Sequence, residues 1–261
     1  MCTVNDSYLR WLVERTPTRW WHDSADPVEL AAGLQQGASG VTTNPVLTNT
    51  ALCAHPERWN AILEGFSAGL SEAQRAEELT RRVVTRTAEA LLPYYGGADA
   101  RQGYVCGQVN PRRAGDRDVM LAMARRYHAW APNIAGKLPV TAAGLDVLEE
   151  CAAEGISVTA TISFCVPQVA AVAERYRRAQ ARAQRAGMEP GRCYAVIMIG
   201  RLDDYLTDIA HDQRAEVSED DIRLAGLAVT KRAYALYRER GYDAVLLVAA
   251  LRGVHHMVGL A

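Results

Sequence analysis

Ile134-Ala135-Gly136-Lys137-Leu138 runs into Pro139-Val140-Thr141, then Ala142 to Ala153, then Ile156-Ser157-Val158-Thr159-Ala160-Thr161-Ile162. The first five residues read as a short buried strand, because the apolar run is brief and Pro139 forbids helix continuation. Ala142–Ala153 reads as the following helix and Ile156–Ile162 as the next strand. The alternation extends in both directions. Towards the N-terminus, Arg19–Ser24 is predicted as a first strand. Pro27–Gln36 is predicted as a helix, with Asp26 as N-cap and Pro27 at the first helical position. Gly40-Val41-Thr42-Thr43-Asn44 reads as a second strand stopped by Pro45, Arg58–Leu92 as helix-rich, Gly103–Val109 as a third strand and Asp116–Trp130 as a helix. Towards the C-terminus come a long Arg/Ala helix (Pro167–Ala186), a strand (Tyr194–Ile199), a helix with i, i+4 apolar spacing (Asp220–Arg240) and a strand (Ala244–Ala250). Strands alternating with helices at this spacing are the pattern of parallel βα units. Seven of them point to a (β/α)₈ TIM barrel forming one domain over residues 1–261. A doubly wound sheet is the other option, but no GxGxxG follows an early strand. The sequence stops soon after the seventh unit. Open edges are a liability, so an eighth strand is expected in a C-terminal segment absent here.

Composition excludes several classes. The net charge is -1 across 261 residues, so there is no global basic field for nucleic acid or an anionic membrane. No apolar run approaches the roughly 20 residues of a spanning helix. The start Met1-Cys2-Thr3-Val4-Asn5-Asp6 has no signal-peptide pattern. Six cysteines without CxxC spacing suit reduced thiols in a cytoplasmic protein, with neither a zinc site nor a disulfide framework. Arg175–Arg185 reads as the solvated face of a helix, not a nucleic-acid patch. Oligomeric state is open, a homo-oligomer included.

Only two of the 29 basic side chains are lysines. Lys231 sits in a charged helical pattern, as a solvated lysine does. Lys137 sits in the apolar strand, where desolvation would favour the neutral amine that a Schiff-base nucleophile must be. A snorkelling strand-end lysine is the plainer alternative. In a barrel the chemistry lies at the C-terminal ends of strands. Those ends carry Asp23, Asn44, Gln108, Lys137, Thr161, Arg201 and Arg252. An amine with a carboxylate and a hydroxyl can form, protonate and hydrolyse an imine, and two guanidiniums can hold a phosphate. Taken singly, each has a structural alternative. Asp23 can be a cap, Asn44 a turn residue before Pro45, Gln108 a solvated strand end, and Arg201 can pair with Asp203 or Asp204. His255 and His256, just beyond Arg252, read as solvated loop residues, with substrate contact as the alternative.

The chain resembles the transaldolases, class I Schiff-base aldolases of the pentose phosphate route. The resemblance runs from about Trp20 to the last residue. It rests on Gly40-Val41-Thr42-Thr43-Asn44-Pro45-Val46-Leu47, Lys137-Leu138-Pro139-Val140-Thr141 with Gly144-Leu145, Thr159-Ala160-Thr161-Ile162-Ser163-Phe164, Gly200-Arg201-Leu202-Asp203-Asp204 and Ala249-Ala250-Leu251-Arg252. It implies that Lys137 forms the imine, that Asp23 is the acid/base for carbon–carbon cleavage, and that Thr161 helps hold the catalytic water. It further implies that Asn44, with Thr43 beside it, binds a substrate hydroxyl and that Arg201 and Arg252 bind the sugar phosphate, with no metal or organic cofactor. Transaldolases carry glutamate where Gln108 stands, whereas the related fructose-6-phosphate aldolases carry glutamine. Those aldolases use a tyrosine on the sixth strand, where this chain has Met198. Val196 and Ala250 stand where serines are usual in the sixth- and seventh-strand motifs, so phosphate binding is expected to be altered. The resemblance thus implies transfer of a dihydroxyacetone unit between sugar phosphates, with aldol cleavage or addition without a sugar acceptor and a non-catalytic sugar-phosphate-binding homologue as the alternatives.

Overall fold

The computed structural model describes residues 7–64, 69–97 and 101–261. Two compact units emerge, Met1–Val109 with Ala122–Gly136, and Asn110–Leu121 with Lys137–Ala261. Among the described residues six strands, β1 (Gly40–Val41), β2 (Tyr104–Gln108), β3 (Ile134–Pro139), β4 (Val158–Thr161), β5 (Cys193–Met198) and β6 (Val245–Ala249), are hydrogen-bonded in chain order. Gly40 pairs in parallel with Tyr104, Val158 with Cys193 and Tyr194 with Val245. Consecutive parallel strands with intervening helices make this an α/β fold of the TIM-barrel type. Strands β2 to β5 are almost wholly buried, as strands covered on both faces must be. Strand β6 is half-buried along its length.

In the first unit, helix α1 (Tyr8–Arg15), which the sequence pattern did not suggest, is capped by Ser7. Helix α2 (Pro27–Gln35) starts as predicted: Asp26 accepts from the backbone N–H groups of Val28 and Glu29. The predicted first strand, Arg19–Ser24, contracts to one bridge between His22 and Val41. Its backbone still pairs in parallel fashion, His22 N–H to Gly40 O at 2.9 Å and Thr42 N–H to His22 O at 2.9 Å. The second strand is also shorter than predicted and ends at Val41. Asn44 and Pro45 do not merely stop it. They start helix α3 (Pro45–Ala54), with Asn44 Oδ1 accepting from Leu47 N–H at 2.9 Å. Gly40 is fixed by packing, because a Cβ there would lie 2.4 Å from the Trp21 ring.

The helix-rich region resolves into α4 (Pro56–Leu63) and α5 (Glu72–Leu91), the latter opened by a Ser71/Gln74 capping box. Fully buried Trp59 packs with Ala25, Ala51 and Val83, and its indole N–H donates to Ala51 O at 2.8 Å. Buried Asn133 ties the entry of β3 to this unit, its amide nitrogen donating to Ala88 O at 2.9 Å and Gly103 O at 2.8 Å. Helix α6 (Arg117–His128) is divided between the two units.

In the second unit, α7 (Ala142–Ala153) and α8 (Val166–Arg185) pack together. The basic tract of α8 faces the acids of α7. Arg175 meets Asp146 at 2.6 Å and Glu149 at 3.2 Å, Arg178 meets Glu149 at 3.3 Å, and Arg182 meets Glu150 at 3.0 Å. Helix α10 (Glu219–Arg240) begins one residue before its predicted start and is locked to α8 by the Tyr237 hydroxyl, which donates to Val169 O at 2.6 Å. Two helices in this unit were not predicted, α9 (Ile199–Gln213) and α11 (Val254–Leu260). Among the described residues no helix is long and apolar enough to cross a membrane.

Candidate active site

The lysine strand is built by its exit. Lys137 is half-buried between fully buried Ala135 and Leu138. Two residues after the strand, Thr141 caps α7 by accepting from Gly144 N–H at 3.0 Å, and its hydroxyl donates to Ala114 O at 2.9 Å. A Cβ at Gly144 would fall 1.9 Å from Pro139 O, so only glycine lets the helix start this close to the strand. Val140 N–H donates to Thr161 O at 2.7 Å, joining the lysine strand's end to that of β4. Thr161 is buried there, and the next residue, Ile162, has φ 68° and is exposed. A β-branched side chain in the left-handed region is a genuine outlier, of the sort that clusters at functional sites. Ser163 follows, fully buried, its hydroxyl without a partner among the described residues. Its backbone O accepts from Met198 N–H at 2.8 Å.

The first unit holds the other group of predicted residues. Asp23 lies beside the His22 bridge, exposed, and its carboxylate accepts from the Thr42 hydroxyl. Burial pushes the His22 imidazole below its ordinary pKa. Thr43 is buried, and its hydroxyl donates to Cys106 O on β2 at 2.6 Å. Asn44 is half-buried, its carbonyl oxygen engaged as the α3 cap. Gln108 is the last residue of β2 and half-buried.

The two arginines come together on one carboxylate. Strand β5 passes directly into α9, so Arg201 stands in the first turn of a helix. Its Nη1 lies 3.8 Å from Asp204 Oδ2. Arg252 grips the same carboxylate as a fork: Nε donates to Oδ1 at 2.8 Å and Nη2 donates to Oδ2. This fork holds the Asp204 carboxyl below its ordinary pKa. Arg252 Nη1 also donates to Ala250 O at 2.8 Å. Ala250 has φ 60°, one residue past β6, as Ile162 is one residue past β4. Gly200 makes this arrangement possible, since a Cβ would lie 2.0 Å from Ala250 O and 2.7 Å from Arg252 Cγ.

Beneath the arginines lies a pair that the sequence reading did not place. His256 is not a solvated loop residue. It is fully buried on α11, whereas His255 is exposed. Its Nδ1 accepts from Arg252 N–H at 3.1 Å, and its Nε2 approaches Asp203 Oδ2 to 2.9 Å, a close contact rather than an aligned hydrogen bond. Asp203 Oδ1 accepts from Gly226 N–H on α10 at 2.8 Å. Burial is the main cause, and the neighbouring His255 the next, that push the His256 imidazole below its ordinary pKa. The only signal for this pair in the sequence was the Asp203-Asp204 doublet.

A family model described as "Transaldolase/Fructose-6-phosphate aldolase" matches residues 20–261. The chain is 30% identical over 210 residues to "Transaldolase 1" of Streptomyces avermitilis, a match covering 77% of this chain and 54% of that protein. It is 30% identical over 225 residues to "Transaldolase" of Thermobifida fusca, covering 83% and 59%. It is 28% identical over 226 residues to "Transaldolase" of Thiobacillus denitrificans, covering 84% and 62%. The chain thus spans little more than half the length of the curated relatives it matches.

Proposed function

Since the chain belongs to the transaldolase/fructose-6-phosphate aldolase family, we propose that it transfers a dihydroxyacetone unit between sugar phosphates through a Schiff base on Lys137. The observation that carries this reading is the setting of Lys137, a half-buried amine on a strand whose exit is held by Thr141 and Gly144. The amine adds to the ketose carbonyl, and loss of water gives the imine. The imine is the electron sink, so neither metal nor organic cofactor enters. Asp23 takes the proton of the hydroxyl on the carbon beyond the bond that breaks. The aldose leaves, and the enamine stays on Lys137. Addition to a second aldose and hydrolysis complete transfer, with Gln108 and Thr161 orienting the water. Arg201 and Arg252 hold the phosphate, and Asn44 holds a hydroxyl through its NH₂ end, because its oxygen caps α3. In this reading the protein is a single TIM-barrel domain, cytoplasmic, acting in carbohydrate metabolism.

Gln108 favours a second reading, aldol cleavage without a sugar acceptor. A glutamine orients water but cannot take its proton. Gln108→Glu should therefore raise transfer of the donor unit to an aldose phosphate relative to simple cleavage of fructose 6-phosphate. The check is the ratio of the two products with and without acceptor. An unchanged ratio removes Gln108 as the residue governing partition.

A further inference from the structure

We propose that His256 is a positioning residue for the phosphate-binding arginine, holding the backbone of Arg252 so that its guanidinium is presented to an anion. The proposal rests on the reading of Arg201 and Arg252 as a phosphate clamp. Three observations carry it.

The first is the donor. Arg252 N–H is a backbone group and can only donate, so His256 Nδ1 must be the unprotonated nitrogen and Nε2 must carry the ring proton. The protonated side then faces the Asp203 carboxylate at 2.9 Å. The imidazole is thereby held in one tautomer. Burial without exposed surface opposes the charged form, which would put a proton on Nδ1 and break the bond to Arg252.

The second is the anchoring. Asp203 stands on α9, two residues from Arg201, and its other oxygen accepts from Gly226 N–H on α10. The ring therefore ties the segment carrying Arg252 to the helix that carries Arg201. The third is the need. The chain leaves β6 through Ala250, whose φ of 60° is strained for an alanine. Residues 251 to 255 are exposed. In this segment the His256 bond is what fixes the Arg252 backbone, while the Arg252 head is held by Ala250 O and Asp204. The fixed backbone means that an incoming phosphate has to displace only the Asp204 contact, with no loop to reorder.

Two conservative variants separate the two sides of the ring. His256→Asn keeps an acceptor near the place of Nδ1 and withdraws from Asp203. His256→Gln reaches towards Asp203 but puts a methylene where Nδ1 was. The apparent KM for fructose 6-phosphate and for unphosphorylated dihydroxyacetone is measured with each. His256→Asn loses the tie to Asp203 but keeps the bond to Arg252, so it should raise KM for the phosphorylated donor less than His256→Gln does. His256→Gln should raise KM for the phosphorylated donor roughly threefold to tenfold, the effect of losing one neutral hydrogen bond, and leave kcat and KM for dihydroxyacetone unchanged. The reverse order would overturn the proposal, because the Asp203 contact would then matter instead. Equal losses for both donors would overturn it too, since the ring would be only scaffold. Should either variant fail to fold, wild-type protein gives the answer by nitrogen NMR with inorganic phosphate as probe. His256 Nδ1 should have the shift of an unprotonated acceptor and, with the Arg252 amide, should stay in place while phosphate moves the Arg252 Nε. A protonated Nδ1, or an Arg252 amide that moves along with Nε, would overturn the positioning role alone. No shift at Arg201 or Arg252 would overturn the clamp reading, and this proposal with it.

Discussion

Asn44 shows how one side chain can answer to two demands. Its oxygen caps α3. Its amide NH₂ is the end assigned to a substrate hydroxyl. The sequence offered a turn residue or a ligand, and the cap explains why an asparagine precedes Pro45 whatever the second role is. The roles separate by substitution. Asn44→Asp keeps the capping oxygen and removes the donor, so thermal stability should stay near wild type while donor affinity falls. Asn44→Ala removes both and should cost about 1 kcal/mol of stability as well. Denaturant unfolding alongside donor titration checks this. If the aspartate variant binds donor as well as wild type, Asn44 is a cap alone. Thr43 carries a related warning. Its motif sets it beside Asn44, and its hydroxyl donates to a β2 carbonyl, a partnership that no linear pattern announces.

At the scale of elements, the strands buried on both faces were legible because a parallel strand covered by helices must be apolar throughout. Strands β2 to β5 fall where the apolar runs put them. The ends were less legible. Arg19–Ser24 is apolar enough for a strand, yet regular pairing reduces to the His22 bridge beside the two-residue β1. The Trp21 ring fills the space over Gly40. Helix α9 is not among the predicted elements, and in the fold Gly200 is the residue without a Cβ that lets this helix begin against Ala250 and Arg252. Helix α11 begins just after a glycine and carries two adjacent histidines, a composition that reads as loop. Only three-dimensional contact with Asp203 reveals that one of them is core. The polar residues proposed for the site were chosen from the sequence by type and by their place at predicted strand ends. The contact of Arg201 with Asp204 was open to the sequence as a local pair, whereas the Arg252 fork on Asp204, 48 residues away, and the His256 bond to the Arg252 backbone emerge from folding.

For the whole molecule, three histidines set a pH dependence of stability. Burial is the largest cause lowering the pKa of His22, His128 and His256. The sign follows from proton counts. Near and below the ordinary value of about 6.5 the unfolded chain binds protons that the folded one does not, so stability falls as pH drops through that window. Each such proton contributes up to about 1.4 kcal/mol per pH unit. Glu78 acts lower down. The Arg81 fork, with Arg82, holds it at about 2, so its contribution is lost only as pH falls from its ordinary 4.5. Melting followed by calorimetry from pH 7 to 5 should therefore show a falling Tm before carboxylates titrate. A flat Tm over that range would contradict the lowered pKa of these histidines.

The central claim concerns Lys137, and a covalent test reaches it directly. The protein is incubated with fructose 6-phosphate, reduced with borohydride, digested and analysed by peptide mass spectrometry. The account predicts a reduced three-carbon or sugar adduct on the peptide containing Lys137, absent from Lys137→Arg, whose guanidinium stays protonated and cannot attack a carbonyl. An adduct confined to Lys231 or the N-terminal amine, or an unchanged yield in Lys137→Arg, would contradict it.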